Sequence, residues 1–108
     1  MALYYVAHQY CGDRCDMRKA KRITRHLQKN DLANLYVCPL TALSHLGDGD
    51  LSEDDEIELR LDLLSAADRL IVASSSDMFV DKEIAFAKLV KMEVMRLEEN
   101  GELRLFTE

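Results

Sequence analysis

Apolar and polar residues follow one another along this chain in blocks whose lengths and periods are those of alternating strands and helices. The segment Leu3–Ala7 is aromatic, β-branched and apolar on both faces, and a similar short run at residues 35–38 is stopped by Pro39. Runs of this kind are typical of central strands in a parallel sheet. Between them, residues 13–29 place apolar side chains three and four positions apart and basic side chains elsewhere, which predicts an amphipathic helix.

The middle of the chain changes from a loop to a helix. Residues 40–51 are predicted to form a loop, because they lack a sustained apolar period and are rich in small and acidic residues towards the end. Ser52 followed by a run of acids has the form of a helix N-terminus. We therefore expect a helix with Ile57, Leu61 and Leu64 on its inner face.

The second half repeats the alternation and ends in a hairpin. A third apolar run ends in three serines at residues 74–76, and a helix is predicted over residues 80–89. Residues 93–97 and 102–106 are two short strand-length runs that flank an Asn-Gly pair at residues 100–101. This pairing predicts two antiparallel strands.

Strands that alternate with helices predict a mainly parallel sheet, because right-handed crossover connections bring each strand back alongside the one before. The sheet is expected to be doubly wound, with helices on both faces and the C-terminal hairpin as an antiparallel edge. The first and third strands are expected at its centre, with the point where the winding reverses between them. A chain of 108 residues with one proline, four glycines and no low-complexity run is expected to form one domain over residues 1–108.

Composition and charge exclude several classes of partner. The formal net charge of -6, from 14 basic and 20 acidic residues, provides no basic surface for a nucleic-acid polymer. No segment approaches the ~20 apolar residues that span a bilayer, and no signal-peptide pattern is present, so no membrane partner is expected. Three cysteines, an odd number, fit reduced thiols, so a cytoplasmic location is expected.

Glu83 is the first candidate for chemistry, because it is expected in the first turn of the helix that follows the three serines. The helix dipole can hold such an acid ionised, and a carboxylate at the edge of a sheet is a suitable nucleophile toward an anomeric carbon. The alternative is that Glu83 is a first-turn acid that only stabilises the helix.

Two further residues are candidates to act with Glu83. Tyr5 of the first strand could hydrogen-bond a ligand or Glu83, or could be a buried structural residue. Asp62, between two leucines, is either a second carboxyl of a glycosyl-transfer site or a solvent-facing acid. Ligand-binding groups are expected where the first and third strands end, at His8, Gln9, Tyr10, Gly12, Ser74, Ser75 and Ser76.

No metal and no other cofactor is expected. The zinc ligands that the chain offers are Cys11, Cys15, Cys38 and His8. Only two of them form a close cysteine pair and no second pair follows, which argues against a zinc site.

Four short motifs occur in order along nearly the whole chain, at residues 5–13 (YVAHQYCGD), 19–22 (KAKR), 63–72 (LLSAADRLIV) and 83–87 (EIAFA). Together with Pro39 they resemble the small phage and bacterial relatives of nucleoside 2-deoxyribosyltransferases. The resemblance implies a flavodoxin-like (Rossmann-like) three-layer α/β sandwich. These proteins are usually oligomeric, with neighbouring subunits completing each site, so a homo-oligomer is expected. The resemblance also implies that a glutamate at the position of Glu83 attacks C1′ of a 2-deoxyribosyl group, and that a first-strand tyrosine, here Tyr5, supports it.

The predicted function is therefore that of a nucleoside 2-deoxyribosyltransferase or deoxynucleotide N-glycosidase, acting on a small nucleoside or nucleotide, with Asp62 as proton donor. The chain differs from active relatives at two positions. Phe79 stands where they commonly have a glycine four residues before the nucleophile, and Arg60 stands where they often have an aspartate. These two residues favour the alternative, a non-catalytic nucleotide-binding or structural homo-oligomer with a degenerate active site.

Overall fold

The computed structural model describes residues 1–10, 14–46, 49–75 and 77–106, and these residues form a five-stranded sheet and four helices. The strands are β1 (Leu3–Ala7), β2 (Leu35–Val37), β3 (Arg69–Val72), β4 (Glu93–Leu97) and β5 (Leu103–Leu105), in the spatial order β2-β1-β3-β4-β5. Strands β1 to β4 are parallel, and β5 pairs antiparallel with β4. The predicted α/β fold, with a mainly parallel sheet and a C-terminal hairpin at its edge, is thus confirmed.

The helices agree with the predicted pattern except at one point. They are α1 (Arg14–Asn30), α2 (Pro39–Ala42), α3 (Glu53–Ser65) and α4 (Met78–Leu89). The short helix α2 corrects the prediction of a loop over residues 40–51, because Pro39 fits the first helical position, where its missing N–H is not needed. None of the helices in the described ranges is long and apolar enough to cross a membrane.

Helix α4 begins two residues earlier than predicted, and this changes the position of Glu83. Asp77 is the N-cap, and its Oδ1 accepts a hydrogen bond from Val80 N at 2.9 Å. Asp81 is therefore the acid of the first turn, and Glu83 lies in the second. The prediction of Glu83 in the first turn is wrong, and the helix dipole, which acts mainly on the first turn, has less influence on its charge.

The strands contribute to two apolar clusters, because successive residues of a strand point to opposite faces of the sheet. Tyr5 and Ala7 of β1 belong to one cluster, and Val6 belongs to the other. The first cluster includes Leu64 of α3 and Val80, Ile84 and Ala87 of α4, and the second includes Ala20 and Leu27 of α1. Tyr5 therefore points towards the side of the sheet that packs against α3 and α4.

The winding of the chain reverses between β1 and β3, as predicted. These strands are neighbours, with Val6 paired to Ile71 and Ala7 to Val72. From β1 the chain passes through α1 to β2 on one side, and from β3 it passes through α4 to β4 on the other. Open α/β sheets bind ligands at such a point, beyond the carboxyl ends of the strands.

Candidate functional site

A buried glutamate, a buried tyrosine and a buried arginine meet between β1, α3 and α4. Glu83 of α4 is 1% exposed, and Tyr5 of β1 is 0% exposed. Arg60 of α3 is 4% exposed, and its Nη1 lies 3.9 Å from Glu83 Oε1. Charged side chains are seldom buried so completely unless they are paired or take part in function. These three residues are called the buried trio below.

The buried trio leaves several polar atoms without hydrogen bonds. Among the described residues, no partner satisfies Tyr5 Oη, Arg60 Nε or either carboxylate oxygen of Glu83. The Tyr5 hydroxyl is near enough to the Glu83 carboxyl to lower its pKa, although the two groups do not meet in well-formed hydrogen-bond geometry, and the ion pair with Arg60 is also long. A buried polar group left unpaired costs ~1–3 kcal/mol. Groups kept at that cost are candidates for contact with a ligand.

The protonation of Glu83 is set by its burial. Burial raises the pKa of Glu83 to about 7; the Tyr5 hydroxyl and the Arg60 guanidinium oppose this rise, and the Asp77 carboxylate adds to it. Burial and the charge of Glu83 also raise the pKa of the Tyr5 hydroxyl, so Tyr5 stays a neutral donor. Near neutral pH, Glu83 is therefore present in both its neutral and its charged form. The sequence predicted a carboxylate held ionised by the helix dipole, and this is corrected because burial outweighs the dipole.

Arg60 is held by three partial contacts rather than by one close ion pair. Its Cζ lies 4.2 Å from the centroid of the Phe79 ring, and its Nη2 lies 3.8 Å from Glu56 Oε2. Its Nη1 faces Glu83. A guanidinium over an aromatic face is attracted by the ring electrons. Arg60 and Phe79, the two residues that set the chain apart from the family it resembles, thus form one contact beside Glu83.

A cleft of about 350 Å³ lies next to the buried trio, beyond the carboxyl ends of β1 and β2. Its walls include Tyr10, Met17, Leu40, Leu46, Glu56 and Arg60. This volume is within the range of small-molecule sites. Arg60 lines the cleft and also contacts Glu83, whereas Glu83 is buried behind it. Arg60 therefore separates the carboxyl group from any molecule bound in the cleft.

The segments that follow β1 and β3 are joined by hydrogen bonds. Gln9 N donates to Ser74 Oγ at 2.7 Å, and Tyr10 N donates to Asp77 Oδ2 at 3.0 Å. Ser74 Oγ in turn donates to Ser75 O at 2.8 Å. The structure thus brings the predicted residues Gln9, Tyr10 and Ser74 together. Asp77 was missed, although an aspartate directly before a helical pattern is a recognised N-cap signal.

Four predicted ligand-binding residues remain, and two of them lie in the part of the chain that the structure describes. His8 directly follows β1 and is 3% exposed, and its Nδ1 lies 2.8 Å from Gln9 O, to which it donates. Ser75 is exposed. Gly12 and Ser76 lie outside the described residues. Among the described residues, no hydrogen bond or ion pair joins the side chain of His8 or Ser75 to the buried trio.

The structure does not bring Asp62 to Glu83. Asp62 is exposed on α3, and it does not shift the pKa of Glu83. The buried residues of α3 are Arg60 and Leu64, so Arg60 holds the place beside Glu83 that the sequence offered to a second carboxyl. Arg60 lies one helical turn before Leu64, and this spacing could have placed it on the inner face.

No metal site accompanies the buried trio in the part of the chain that the structure describes. No three His, Cys, Asp or Glu side chains there are arranged to hold a metal ion. Burial raises the pKa of Cys38 at the end of β2, so this thiol stays protonated and is a poor metal ligand at neutral pH. Cys11 lies outside the described residues.

Comparison with known proteins identifies the class of fold. No family model matches the chain, and none of the curated proteins matches it. The structure is similar to the crystal structure of a conserved protein from Enterococcus faecalis V583, with a TM-score of 0.74 and 18% sequence identity. The match covers 89% of this chain and 62% of that chain, so this chain spans less than two thirds of its neighbour's length. At this identity the likeness shows the fold alone, an α/β protein with a mostly parallel five-stranded sheet.

Proposed function

We propose that the protein is a nucleoside 2-deoxyribosyltransferase-like enzyme that cleaves the N-glycosidic bond of a 2′-deoxynucleoside or its 5′-monophosphate, with Glu83 as nucleophile. One observation carries the proposal: the Glu83 carboxyl is almost fully buried beside Tyr5 and lacks a hydrogen bond within the described residues. A position that served stability alone would be filled at lower cost by an apolar side chain. The motifs that resemble the family assign the same two residues as nucleophile and supporting tyrosine.

The fold-level part of the proposal is a flavodoxin-like three-layer sandwich. The strand order β2-β1-β3-β4-β5 is that of flavodoxin-like doubly wound sheets. The division of the core into two clusters, one shared with α3 and α4 and the other with α1, supports helices on both faces. Such a sheet presents the ends of β1 and β3 to a ligand, which is where Gln9, Tyr10 and Ser74 lie.

In the proposed reaction, a carboxylate oxygen of Glu83 forms a bond to C1′ of the sugar while the bond from C1′ to the base nitrogen breaks. The electron pair of the broken bond leaves with the base, which takes a proton from water in the cleft. The hydroxide left by that proton transfer then attacks C1′ of the ester, or takes the proton from a second base that attacks there. In either case the carboxylate is released, giving hydrolysis or transfer. Because only the charged form of Glu83 attacks, base release is expected to rise with pH through about 7 and to level off above it.

A second function, nucleotide binding without turnover, is favoured by the position of Arg60. This side chain contacts Glu83, rests on the Phe79 ring and separates the carboxyl from the cleft. If Arg60 stays in that place, Glu83 never meets a sugar, and the fold serves as a binding or structural protein. Turnover requires that the Arg60 side chain move when the substrate enters.

The experiment that separates the two functions is incubation with each 2′-deoxynucleoside and each 5′-monophosphate, with free base followed by chromatography. We expect the native protein to release base from at least one of them, and Glu83→Gln to lower the rate by a factor on the order of 10³ or more. The matched control is Glu93→Gln on β4, an exposed glutamate that pairs with Arg69 at 2.8 Å. This variant is expected to keep the native rate.

Two outcomes of that incubation count against the enzyme. Undiminished base release by Glu83→Gln would remove Glu83 as nucleophile. No release from any substrate, combined with a higher melting temperature in the presence of a nucleotide, would establish binding without turnover instead.

We further propose that the protein forms a homo-oligomer in the cytoplasm. Several large apolar side chains are exposed, among them Leu32, Leu89 and Leu105, and apolar surface of this kind is common where subunits meet. Size-exclusion chromatography with light scattering measures the mass of the particle. A mass equal to that of one chain at micromolar concentration would contradict this part of the proposal.

A further inference from the structure

Arg60 is a buried cation at the wall of the cleft whose hydrogen-bond donors are only partly used. Its Nη2 and Nη1 lie 3.8 Å and 3.9 Å from carboxylate oxygens of Glu56 and Glu83, and both distances exceed those of hydrogen bonds. Its Nε has no partner among the described residues. A guanidinium carries five N–H donors, so this one retains the capacity to bind another anion.

The residues around Arg60 hold its planar guanidinium in a position where it can bind an anion. The Phe79 ring, 4.2 Å from Arg60 Cζ, supports one face of the guanidinium. A guanidinium held in this way can bind two oxygens of a phosphoryl group at once. The same side chain lines the cleft in which Tyr10 offers an aromatic surface to a base.

The geometry points to Arg60 as the residue that binds the phosphoryl group of a phosphorylated ligand and thereby leaves Glu83 open to the sugar. The second half of this inference rests on the proposed function and narrows the substrate to a 2′-deoxynucleoside 5′-monophosphate. A phosphoryl group presents three acceptor oxygens and up to two negative charges, so it competes well with the long ion pair to Glu83. A nucleoside without phosphate has no group to draw Arg60 away.

Among the described residues that line the cleft, Glu56 is the acidic one, and its charge opposes an anion. Its side chain is 38% exposed, so water screens its charge and it has room to turn outward. Glu83 has no such freedom, because it is buried between β1 and α3. The entering phosphoryl group therefore meets a screened carboxylate and a buried cation side by side in the wall of the cleft.

The test measures binding without turnover, using the full chain with Glu83→Gln and isothermal titration calorimetry. The probes are each 2′-deoxynucleoside, each corresponding 5′-monophosphate, and inorganic phosphate. We expect at least one monophosphate to bind about ten-fold tighter or more than its nucleoside, and inorganic phosphate to compete with it. Adding Arg60→Gln is expected to reduce that preference to about two-fold or less, and Arg60→Lys to retain part of it.

The matched control is Arg69→Gln. Arg69 pairs with Glu93 at 2.8 Å and lies 4.9 Å from the Tyr4 ring, so this change removes the same kinds of contact at the amino end of β3. It is expected to leave the preference for the monophosphate unchanged. If Arg60→Gln does not fold, nuclear magnetic resonance of the native chain gives the answer, because the Arg60 Nε–H signal should move with the monophosphate and not with the nucleoside.

Equal binding of nucleoside and monophosphate, a preference that survives Arg60→Gln, or an Arg60 signal that does not move would each overturn the inference. Base release from nucleosides as fast as from monophosphates would also overturn it, while leaving the proposed enzymatic function in place. Binding of a monophosphate that depends on Arg60, without any base release, would support the phosphoryl site and contradict the proposed enzymatic function.

Discussion

The Tyr5 hydroxyl is buried beside Glu83 without a hydrogen bond among the described residues, so its effects on stability and on charge can be separated. Tyr5→Phe is expected to change the free energy of unfolding by less than ~1 kcal/mol, because no well-formed hydrogen bond is lost. The same change is expected to raise the pKa of Glu83, because the hydroxyl lowers that pKa in the native protein. Denaturant unfolding and the pH dependence of base release measure the two effects.

Tyr36→Phe is the matched control for this change. The Tyr36 hydroxyl donates a hydrogen bond to Asp31 Oδ2 at 2.8 Å, and neither residue shifts the pKa of Glu83. We expect this variant to lose ~1 kcal/mol of stability with an unchanged pH midpoint. The opposite result, a large loss in Tyr5→Phe together with an unchanged midpoint, would show that the hydroxyl is structural only.

The charge of Glu83 also makes the stability of the fold depend on pH. Its pKa is raised from 4.5 to about 7 in the folded state, so the folded protein binds the proton more tightly than the unfolded chain. Its contribution is therefore fully present below pH 4.5 and is lost as the pH rises through about 7, by an amount on the order of 3 kcal/mol. Asp77, Tyr5, Arg60 and Cys38 are the charged or titratable groups coupled to it.

Glu83→Gln is expected to remove this loss, because the amide does not titrate. Urea unfolding of the native protein, Glu83→Gln and the control Glu93→Gln at several pH values between 4.5 and 8 measures the difference. We expect the native and control curves to fall together and the Glu83→Gln curve to stay flatter. Three parallel curves would mean that Glu83 titrates at an ordinary pKa and is not buried as described.

For single residues, the sequence predicted that Glu83 and Tyr5 lie close together, and the structure confirms this proximity. The sequence was not sufficient to place Arg60 or Asp62. An arginine is expected at the surface until its partners are known. Glu56 lies one turn away on the same helix, but Glu83 and Phe79 lie on α4 and come beside Arg60 only in the fold. The same folding leaves Asp62 exposed.

Among the elements, the N-terminus of α4 connects stability to the site. Asp77→Ala removes the acceptor for Val80 N and for Tyr10 N, and is expected to cost ~1–2 kcal/mol. It is also expected to lower the pKa of Glu83, because the Asp77 carboxylate raises it. Ser52→Ala, which removes the N-cap of α3 that accepts from Asp55 N, is expected to cost ~1 kcal/mol without moving the pH midpoint of base release.

Thermal or urea unfolding and the pH profile of base release together check this pair of variants. A midpoint that moves equally in both variants would show that the shift reflects general loosening rather than the charge of Asp77. A midpoint that moves in neither would show that Asp77 and Glu83 do not interact.

Element types were predictable from the sequence, and element boundaries less so. The hairpin was signalled by residues 100–101, and Gly101 has the φ of +87° that favours glycine in such a loop. The start of α4 was placed two residues too late, at Val80, because the N-cap signal of Asp77 directly before Met78 was not used. Helix α2 was missed because four residues are too few to show a helical period.

For the whole molecule, the two apolar clusters share one sheet, so both should melt in a single transition. Leu70→Ala empties a buried site in the first cluster and Leu27→Ala one in the second. Each is expected to cost ~2–5 kcal/mol. Far-ultraviolet circular dichroism and tyrosine fluorescence should give coincident unfolding curves in both variants. Separate transitions would contradict a single domain.

The topology of the whole molecule was predictable because alternating strands and helices admit few right-handed arrangements. The separation of Glu83 from the cleft was not predictable. It depends on Arg60 of α3 contacting Phe79 and Glu83 of α4, and no pattern along the chain indicates this contact. The structural neighbour supports the arrangement of strands and says nothing about this contact, since the likeness at 18% identity concerns the fold.

The most direct test of the proposed function is a search for the proposed covalent bond between Glu83 and the sugar. Native protein is mixed with a 2′-deoxynucleoside 5′-monophosphate, quenched in acid and digested, and the peptide that contains Glu83 is weighed by mass spectrometry. We expect that peptide to carry the mass of one 2-deoxyribosyl 5-phosphate group, and the corresponding Glu83→Gln peptide to carry none. Base release without an adduct at Glu83, or the absence of both release and adduct, would contradict the account.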